Sequence, residues 1–378
     1  MDFNIKVNIK KNQPDVTAEI EVQCQDYVMY KFEVWSVGRE PQLIHNTGWG
    51  DIKQFEYIPE KNMCFRINCG VRTLNSKKYK STKPWYVSQH LDILPVLSCG
   101  RNGMIINNEN GTVTKKIFFS KDSLWDKKIF EEYELQKFAH DSGLSTPQVY
   151  NPPYKDDDGL WSLDMQLING VLLREVEKLN IADCEIVLEQ VVKQQCKMEI
   201  IEHYVDTCKA LSGYITDTIK KATFLDAPLK EALLSRFEEL DNGNCGFIHP
   251  DFNKWNVMYN VDKQICYLID WSDPMYGSQL YCASKMYFSF AFNSIMGGSA
   301  SPVADMYLTK LEDMMEISRN DVIAWLPFEA VTRLSRNLIK AKSPRKLDVA
   351  RTVVLREWAK ENSIKYNESL LIPDNYNG

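Results

Sequence analysis

The chain has 378 residues, 44% of them hydrophobic and 25% charged, with a formal net charge of −6. That length has room for two or more domains with a sizeable core, and the acidic balance argues against a general nucleic-acid binder. No apolar run approaches the roughly 18 residues of a membrane span, and the opening Met1-Asp2-Phe3-Asn4-Ile5-Lys6 lacks the apolar core of a signal peptide, so a cytoplasmic protein is expected.

Residues 1 to about 90 read as strands. Segments 16–22, 30–35 and 63–68 alternate apolar and polar residues with turn residues between them, the pattern of a small antiparallel sandwich. The strand Tyr30-Lys31-Phe32-Glu33-Val34-Trp35, a Trp-containing turn and Phe65-Arg66-Ile67-Asn68-Cys69-Gly70-Val71-Arg72 resemble the immunoglobulin-like modules attached to some bacterial surface-glycan proteins. That resemblance implies a glycan contact through this segment.

Further short strands are expected over 93–98 and 104–107, around a tight turn at Gly100-Arg101-Asn102-Gly103. Asn110-Gly111 is a two-residue hairpin signal leading into a third strand over 112–119. On that strand Lys115 shares a face with Val113, Ile117 and Phe119, and a lysine facing apolar neighbours needs an anionic partner. A register slip of one residue would exchange it with Lys116, so both stay open. Residues 122–142 carry helical spacing through Trp125, Ile129, Tyr133 and Phe138, closed by Gly143. Thr146 to Tyr150 and residues 161–168 read as strands, with a turn at Asn169-Gly170. Beyond it the pattern turns helical, over 186–219, 228–240, 280–295, 304–317, 322–340 and 347–361. The basic run from Arg333 to Lys360 reads as a solvated helix face. The ten cysteines form no C-x-x-C pair and have no histidine cluster beside them, so reduced thiols are expected in place of zinc or disulfides.

Embedded in the helical part is Ile248-His249-Pro250-Asp251-Phe252-Asn253-Lys254-Trp255-Asn256, an H-x-D-x-x-x-x-N pattern. Leu268-Ile269-Asp270-Trp271 follows, with Asp270 fourteen residues after Asn256. Phosphoryl transfer needs one carboxylate to orient or deprotonate the acceptor hydroxyl, plus an amide oxygen and a second carboxylate as hard ligands for magnesium. A loop carrying Asp251 and Asn256 beside a strand ending in Asp270 supplies all three.

On these residues the sequence resembles the aminoglycoside phosphotransferase and choline kinase group of the protein-kinase-like superfamily. That group's loop usually reads H-G-D-x-x-x-x-N and its metal strand I-D-W or I-D-F. The resemblance implies an α+β, two-lobed protein-kinase-like fold, with a small antiparallel β N-lobe over 91–170 and a large helical C-lobe over 171–378, preceded by the all-β sandwich over 1–90. It implies Asp251 as catalytic base, Asn256 and Asp270 as magnesium ligands and His249 as a buttress. It makes Lys115 the phosphate-gripping lysine of a V-A-I-K-like strand and Glu132 its helical partner, with Glu131 and Glu134 open as alternatives. Backbone groups from Gln166 to Ile168 would read adenine, and the Gly100–Gly103 turn lies where the superfamily covers the phosphates. Two departures stand out: Pro250 replaces the usual Gly, and Ser278 and Cys282 replace two customary aspartates. The implied activity is ATP- and Mg2+-dependent transfer of the γ-phosphate to a small-molecule hydroxyl. The glycan-like module points to a sugar, while Asp305, Glu312, Asp313 and Glu316 offer acids for a cationic, aminoglycoside- or choline-type acceptor. A pseudokinase, a nucleotide-binding interaction protein, is the rival reading.

Overall fold

A computed structural model describes residues 4–12, 15–23, 28–37, 41–58, 64–74, 78–81, 83–88, 93–99, 103–118, 124–157, 159–178, 180–201, 209–241, 246–271, 275–338 and 345–371. The chain divides into two compact units, residues 1–130 with 149–167 and residues 131–148 with 168–378.

The first unit opens with strands β1 (Asn4–Asn12), β2 (Asp15–Gln23), β3 (Val28–Ser36), β4 (Leu43–Asn46), β5 (Gln54–Tyr57), β6 (Phe65–Thr73), β7 (Lys80–Ser81), β8 (Trp85–Val87) and β9 (Ile93–Leu94). They pair antiparallel in two sheets, ordered β1-β2-β5 and β4-β3-β6-β8-β9, with β7 beside β6. Period-two alternation decides what fills the space between them. Val16, Ala18 and Ile20 of β2 meet Phe32 and Val34 of β3 and Phe65, Ile67, Cys69 and Val71 of β6 in one buried core. Phe55 stacks on Phe32 across the layers at 5.4 Å between ring centroids.

The next sheet takes β10 (Val96–Cys99), β11 (Gly103–Asn107), β12 (Thr112–Ile117), β13 (Tyr154–Lys155) and β14 (Trp161–Gln166) in the order β10-β11-β12-β14-β13, with α1 (Leu124–Asp141) between β12 and β13 in the chain. The strand expected over 93–98 is therefore divided. Ile93 and Leu94 extend the first sheet, and Val96 starts this one after Pro95, which has no N–H for a ladder. The hairpin at Asn110-Gly111 is also wider than two residues: Asn108 N–H donates to the Thr112 carbonyl at 3.1 Å, and Glu109 and Gly111 both take positive φ, 61° and 82°. Gly100 to Asn102 lie outside the described residues. Gly103 begins β11, where a Cβ would sit 2.2 Å from the Lys116 carbonyl oxygen.

The second unit contains β15 (Val171–Leu172), α2 (Ile181–Glu199), β16 (Lys209–Ala210), α3 (Leu211–Lys221), α4 (Ala227–Leu240), β17 (Gly246–Ile248), β18 (Val257–Asn260), β19 (Ile265–Leu268), β20 (Met275–Gly277), α5 (Gln279–Ile295), α6 (Pro302–Met315), α7 (Arg319–Ala324), α8 (Leu326–Leu338) and α9 (Lys346–Glu361). The helices enclose a large apolar core that includes Val187, Leu188, Leu233, Phe237, Trp325 and Phe328. Two expected helices are broken. The segment 186–219 becomes α2 and α3, and 322–340 becomes α7 and α8, divided at Trp325 just before Pro327. Proline lacks an N–H and fits a first helical turn, so the helix restarts there. Small sheets β15-β18-β19 and β16-β20-β17 hold the H-x-D-x-x-x-x-N loop among these helices. Among the described residues no helix is long and apolar enough to cross a membrane.

Candidate active site

Strand β17, buried along its length, delivers His249 into the core with no exposed surface. Its imidazole lies 4.6 Å from the Trp271 ring, which stacks on Phe247 and donates through Nε1 to Thr146 Oγ1 at 2.8 Å. Burial pushes the His249 pKa down, against the pull of Asp251, so the ring is neutral. The neutral tautomer with its proton on Nε2 satisfies both neighbours: Nε2 donates to the Ile269 carbonyl at 3.0 Å, and Nδ1 accepts the Asp251 amide at 3.2 Å. One ring therefore ties the H-x-D-x-x-x-x-N loop to the turn that carries Asp270.

The loop is closed by its own side chains. Asn253 donates to the Asp251 carbonyl at 2.8 Å and to Asp251 Oδ1 at 2.7 Å, and accepts the Trp255 amide at 2.9 Å. Asn256 Nδ2 donates to the Asp251 carbonyl at 3.0 Å, which turns Oδ1 the other way. The Ile269 amide donates to the Asn256 carbonyl at 3.0 Å. Asp251, Asn256 and the Ile269-Asp270 turn are thus brought together by hydrogen bonds to the backbone. Asp270 is exposed and has φ +64°, a left-handed conformation that costs a β-carbon residue of order 1 kcal/mol and clusters at functional sites. None of these bonds requires an N–H at position 250, so proline is accommodated there.

The two residues found in place of aspartates have structural partners. Ser278 caps α5 by accepting the Leu280 amide at 3.2 Å, and Cys282 donates its thiol to the His249 carbonyl at 3.5 Å. Burial pushes that thiol up to about 12, so it stays protonated and able to donate.

A cationic group faces Asp251 from the helices. Arg333 of α8 donates a guanidinium hydrogen bond to Asp251 Oδ1, and each side chain is 19% exposed. Lys285 of α5 is 3% exposed, with its ammonium 4.6 Å from the Tyr281 ring centroid. Burial raises the Asp251 carboxyl, but the nearby cations, Arg333 first and then Lys285, outweigh it and hold the pKa below the usual carboxylate range. Burial, helped by Arg333, lowers Lys285 to about 7. Behind them Arg351 of α9 clamps Glu329 with hydrogen bonds of 2.8 to 3.1 Å and lies over the Phe288 ring. The basic run from Arg333 to Lys360 is therefore not simply a solvated face: Arg351 is 6% exposed and Arg333 bonds to Asp251. Sequence reasoning missed these residues, although Lys285 is the sole charge in α5.

In the first unit, β12 separates its two lysines by face. Lys116 pairs with Asp156 at 2.7 Å, and Asp156 also accepts from Ser162 at 3.0 Å. Lys115, paired in register with Ile105 and Leu163, lies on the other face with Trp161, which Phe130 of α1 meets edge-on at 5.1 Å. Along α1, Glu132 is buried at 6% exposure, Glu131 is half-buried and Glu134 is exposed. Gln166 ends β14 and Ile168 is buried, while the Leu167 amide between them donates to the Gly111 carbonyl at 3.0 Å.

The sequence model of the phosphotransferase enzyme family matches residues 116–292, a span running from the end of β12 through the H-x-D-x-x-x-x-N loop into α5. Over this span, a little under half of the chain, the sequence is similar to that family. A candidate aminoglycoside phosphotransferase from Ralstonia eutropha JMP134 superposes with a TM-score of 0.50 at 13% identity, covering 72% of this chain and 93% of that one. At that identity the likeness concerns the fold, which is the kinase-like one. Apo aminoglycoside phosphotransferase APH(4)-Ia, in a thermostable mutant, is 15% identical with a TM-score of 0.49 over 70% of this chain and 94% of its own. ADP-bound APH(2'')-Ib is 16% identical with a TM-score of 0.46, over 70% and 92%. No curated protein matches the sequence.

Proposed function

We propose that the chain is an ATP- and Mg2+-dependent kinase that transfers the γ-phosphate to a hydroxyl of a small molecule, a sugar or glycan-related compound. The observation that carries this reading is the Asp251 carboxylate: it stays ionised, shares Oδ1 between Asn253 and Arg333, and makes no hydrogen bond through Oδ2 among the described residues. Oδ2 takes the acceptor proton as the hydroxyl oxygen bonds to the γ-phosphorus and the bond to ADP breaks. Asn256 Oδ1 and the Asp270 carboxylate are hard oxygen donors that suit magnesium. Bound magnesium would neutralise charge on the phosphates. Lys115, with Glu132 as its partner, is assigned to the α- and β-phosphates, and the backbone from Gln166 to Ile168 to adenine.

APH(4)-Ia has been seen with AMP-PNP and hygromycin B. The acids suggested for a cationic acceptor here are ordinary surface charges: Asp305 pairs with Arg319 at 2.9 Å, and Glu312, Asp313 and Glu316 lie at or near the surface. The division into 1–90, 91–170 and 171–378, the glycan contact through the immunoglobulin-like sandwich and a cytoplasmic location complete the reading. Calorimetric titration of ATP with and without Mg2+ tests it. Magnesium-dependent binding that disappears in Asp270→Ala is expected, and equal binding by wild type and variant would overturn the metal assignment.

A further inference from the structure

A phosphotransferase for cationic antibiotics would set carboxylates around its base. Here the reverse is found. Arg333 of α8 bonds to Asp251, Lys285 of α5 and Arg336 of α8 add positive charge to its surroundings, and Arg351 of α9 clamps Glu329 of the same α8. The nearby carboxylates are already committed. Both Glu329 oxygens are taken by Arg351, Asp348 accepts the Arg345 amide at 3.0 Å, and Asp251 Oδ1 serves Asn253 and Arg333.

The cations, by contrast, have capacity left. Guanidinium has five N–H donors in a planar fork, yet the bond to Asp251 is the one hydrogen bond Arg333 makes among the described residues. Lys285 makes none there, although it is only 3% exposed, and its ammonium lies over the Tyr281 face. A buried ammonium without a hydrogen-bond partner is costly, and the cost is relieved when it loses its proton or when an anionic ligand supplies the bond. The fork of Arg333 matches the paired oxygens of a carboxylate or phosphate, and Lys285 adds a point charge behind it.

We propose that the hydroxyl acceptor carries an anionic group, a phosphate or a carboxylate, which Arg333 and Lys285 hold beside Asp251. This rests on the phosphotransferase reading above and narrows it to acidic acceptors, of which sugar phosphates and uronic acids are the two chemical sources. When the anion takes Arg333's remaining donors, the acceptor hydroxyl is left within reach of Asp251 Oδ2.

Calorimetry on the full chain without nucleotide tests this, with glucose, glucosamine, glucose 1-phosphate and glucuronate as probes. At least one anion is expected to bind about ten-fold or more tighter than glucose, the scale of charge-assisted hydrogen bonds, with glucosamine no tighter than glucose. Which anion is preferred separates phosphate from carboxylate. Arg333→Gln should abolish the preference and Arg333→Lys should keep part of it, so that misfolding of one variant does not decide the matter. Equal binding of neutral and anionic sugars, a preference unchanged in Arg333→Gln, or no anion binding up to about 10 mM would overturn the proposal. Because nucleotide is absent, these outcomes are independent of ATP binding, whose failure would instead overturn the phosphotransferase reading.

Discussion

The catalytic loop and the charged cluster beside it are built in opposite ways. The bonds that close the loop on itself join residues no more than 20 positions apart, the longest running from His249 to Ile269. The cluster draws Asp251, Lys285, Arg333 and Arg351 from the loop and three helices, and its central ion pair spans 82 positions. In the function proposed here the loop would provide the chemistry of phosphoryl transfer, and the cluster would set which molecule is phosphorylated. Local segments build the one and tertiary packing builds the other.

Variants can separate the two. The largest effect is expected for Asp251→Asn, which removes the proposed base while keeping the side chain's shape. Turnover should fall about 10²- to 10⁴-fold with the KM for ATP little changed, as steady-state kinetics would show; turnover within a few-fold of wild type would remove Asp251 from catalysis. Arg351→Met breaks the cluster from behind. It leaves Glu329 buried at 1% exposure without its partner, at a cost of about 3–5 kcal/mol, visible as a lower denaturation midpoint. An unchanged midpoint would mean that the pair contributes nothing.

Lys285→Met should act the other way. The folded-state pKa of about 7 lies below the ordinary lysine value of 10.5, so below pH 7 the buried ammonium opposes folding in full. Between 7 and 10.5 the unfolded chain binds the proton more strongly than the folded one, and the penalty on folding that this lysine imposes grows no further below that window and changes only within it. Within that window the unfolded state binds more protons than the folded one, so the wild type gains stability as the pH climbs from 7 towards 10.5. The variant should therefore melt a few degrees higher than wild type at pH 6, with the gap narrowing as the pH is raised through that range. A constant gap would mean that Lys285 is not desolvated. The smallest effect is expected from starting the chain at residue 91. Val37 packs on the cluster of Met104, Ile106 and Phe118 with Leu94 and Val96, so the remainder should fold and bind ATP with a Tm lower by a few degrees.

What is legible in the sequence follows the same division. His249, Asp251, Asn256 and Asp270 lie in one short stretch whose spacing is its own evidence, and the structure joins them. Lys115 is separable from Lys116 only through Asp156, some forty positions on, which claims Lys116 from the other face. Periodicity runs through the break at Trp325 because both helices bury the same apolar side, and Pro327 is the local signal that marks it. Arg333 and Arg351 read as solvated because basic residues on a helix usually are; only packing of α5, α8 and α9 shows which of them turn inward. A lone lysine inside the apolar stretch 279–295 is the clue to that cluster.

Phosphorus NMR of the full chain with ATP, Mg2+ and the four sugars tests the central claim most directly. With at least one sugar, a new phosphate-ester resonance should grow as the γ-phosphate signal of ATP declines, and none should appear with Asp251→Asn. ATP that binds with magnesium yet stays intact with every sugar, or an ester formed as fast by Asp251→Asn, would contradict a kinase whose base is Asp251.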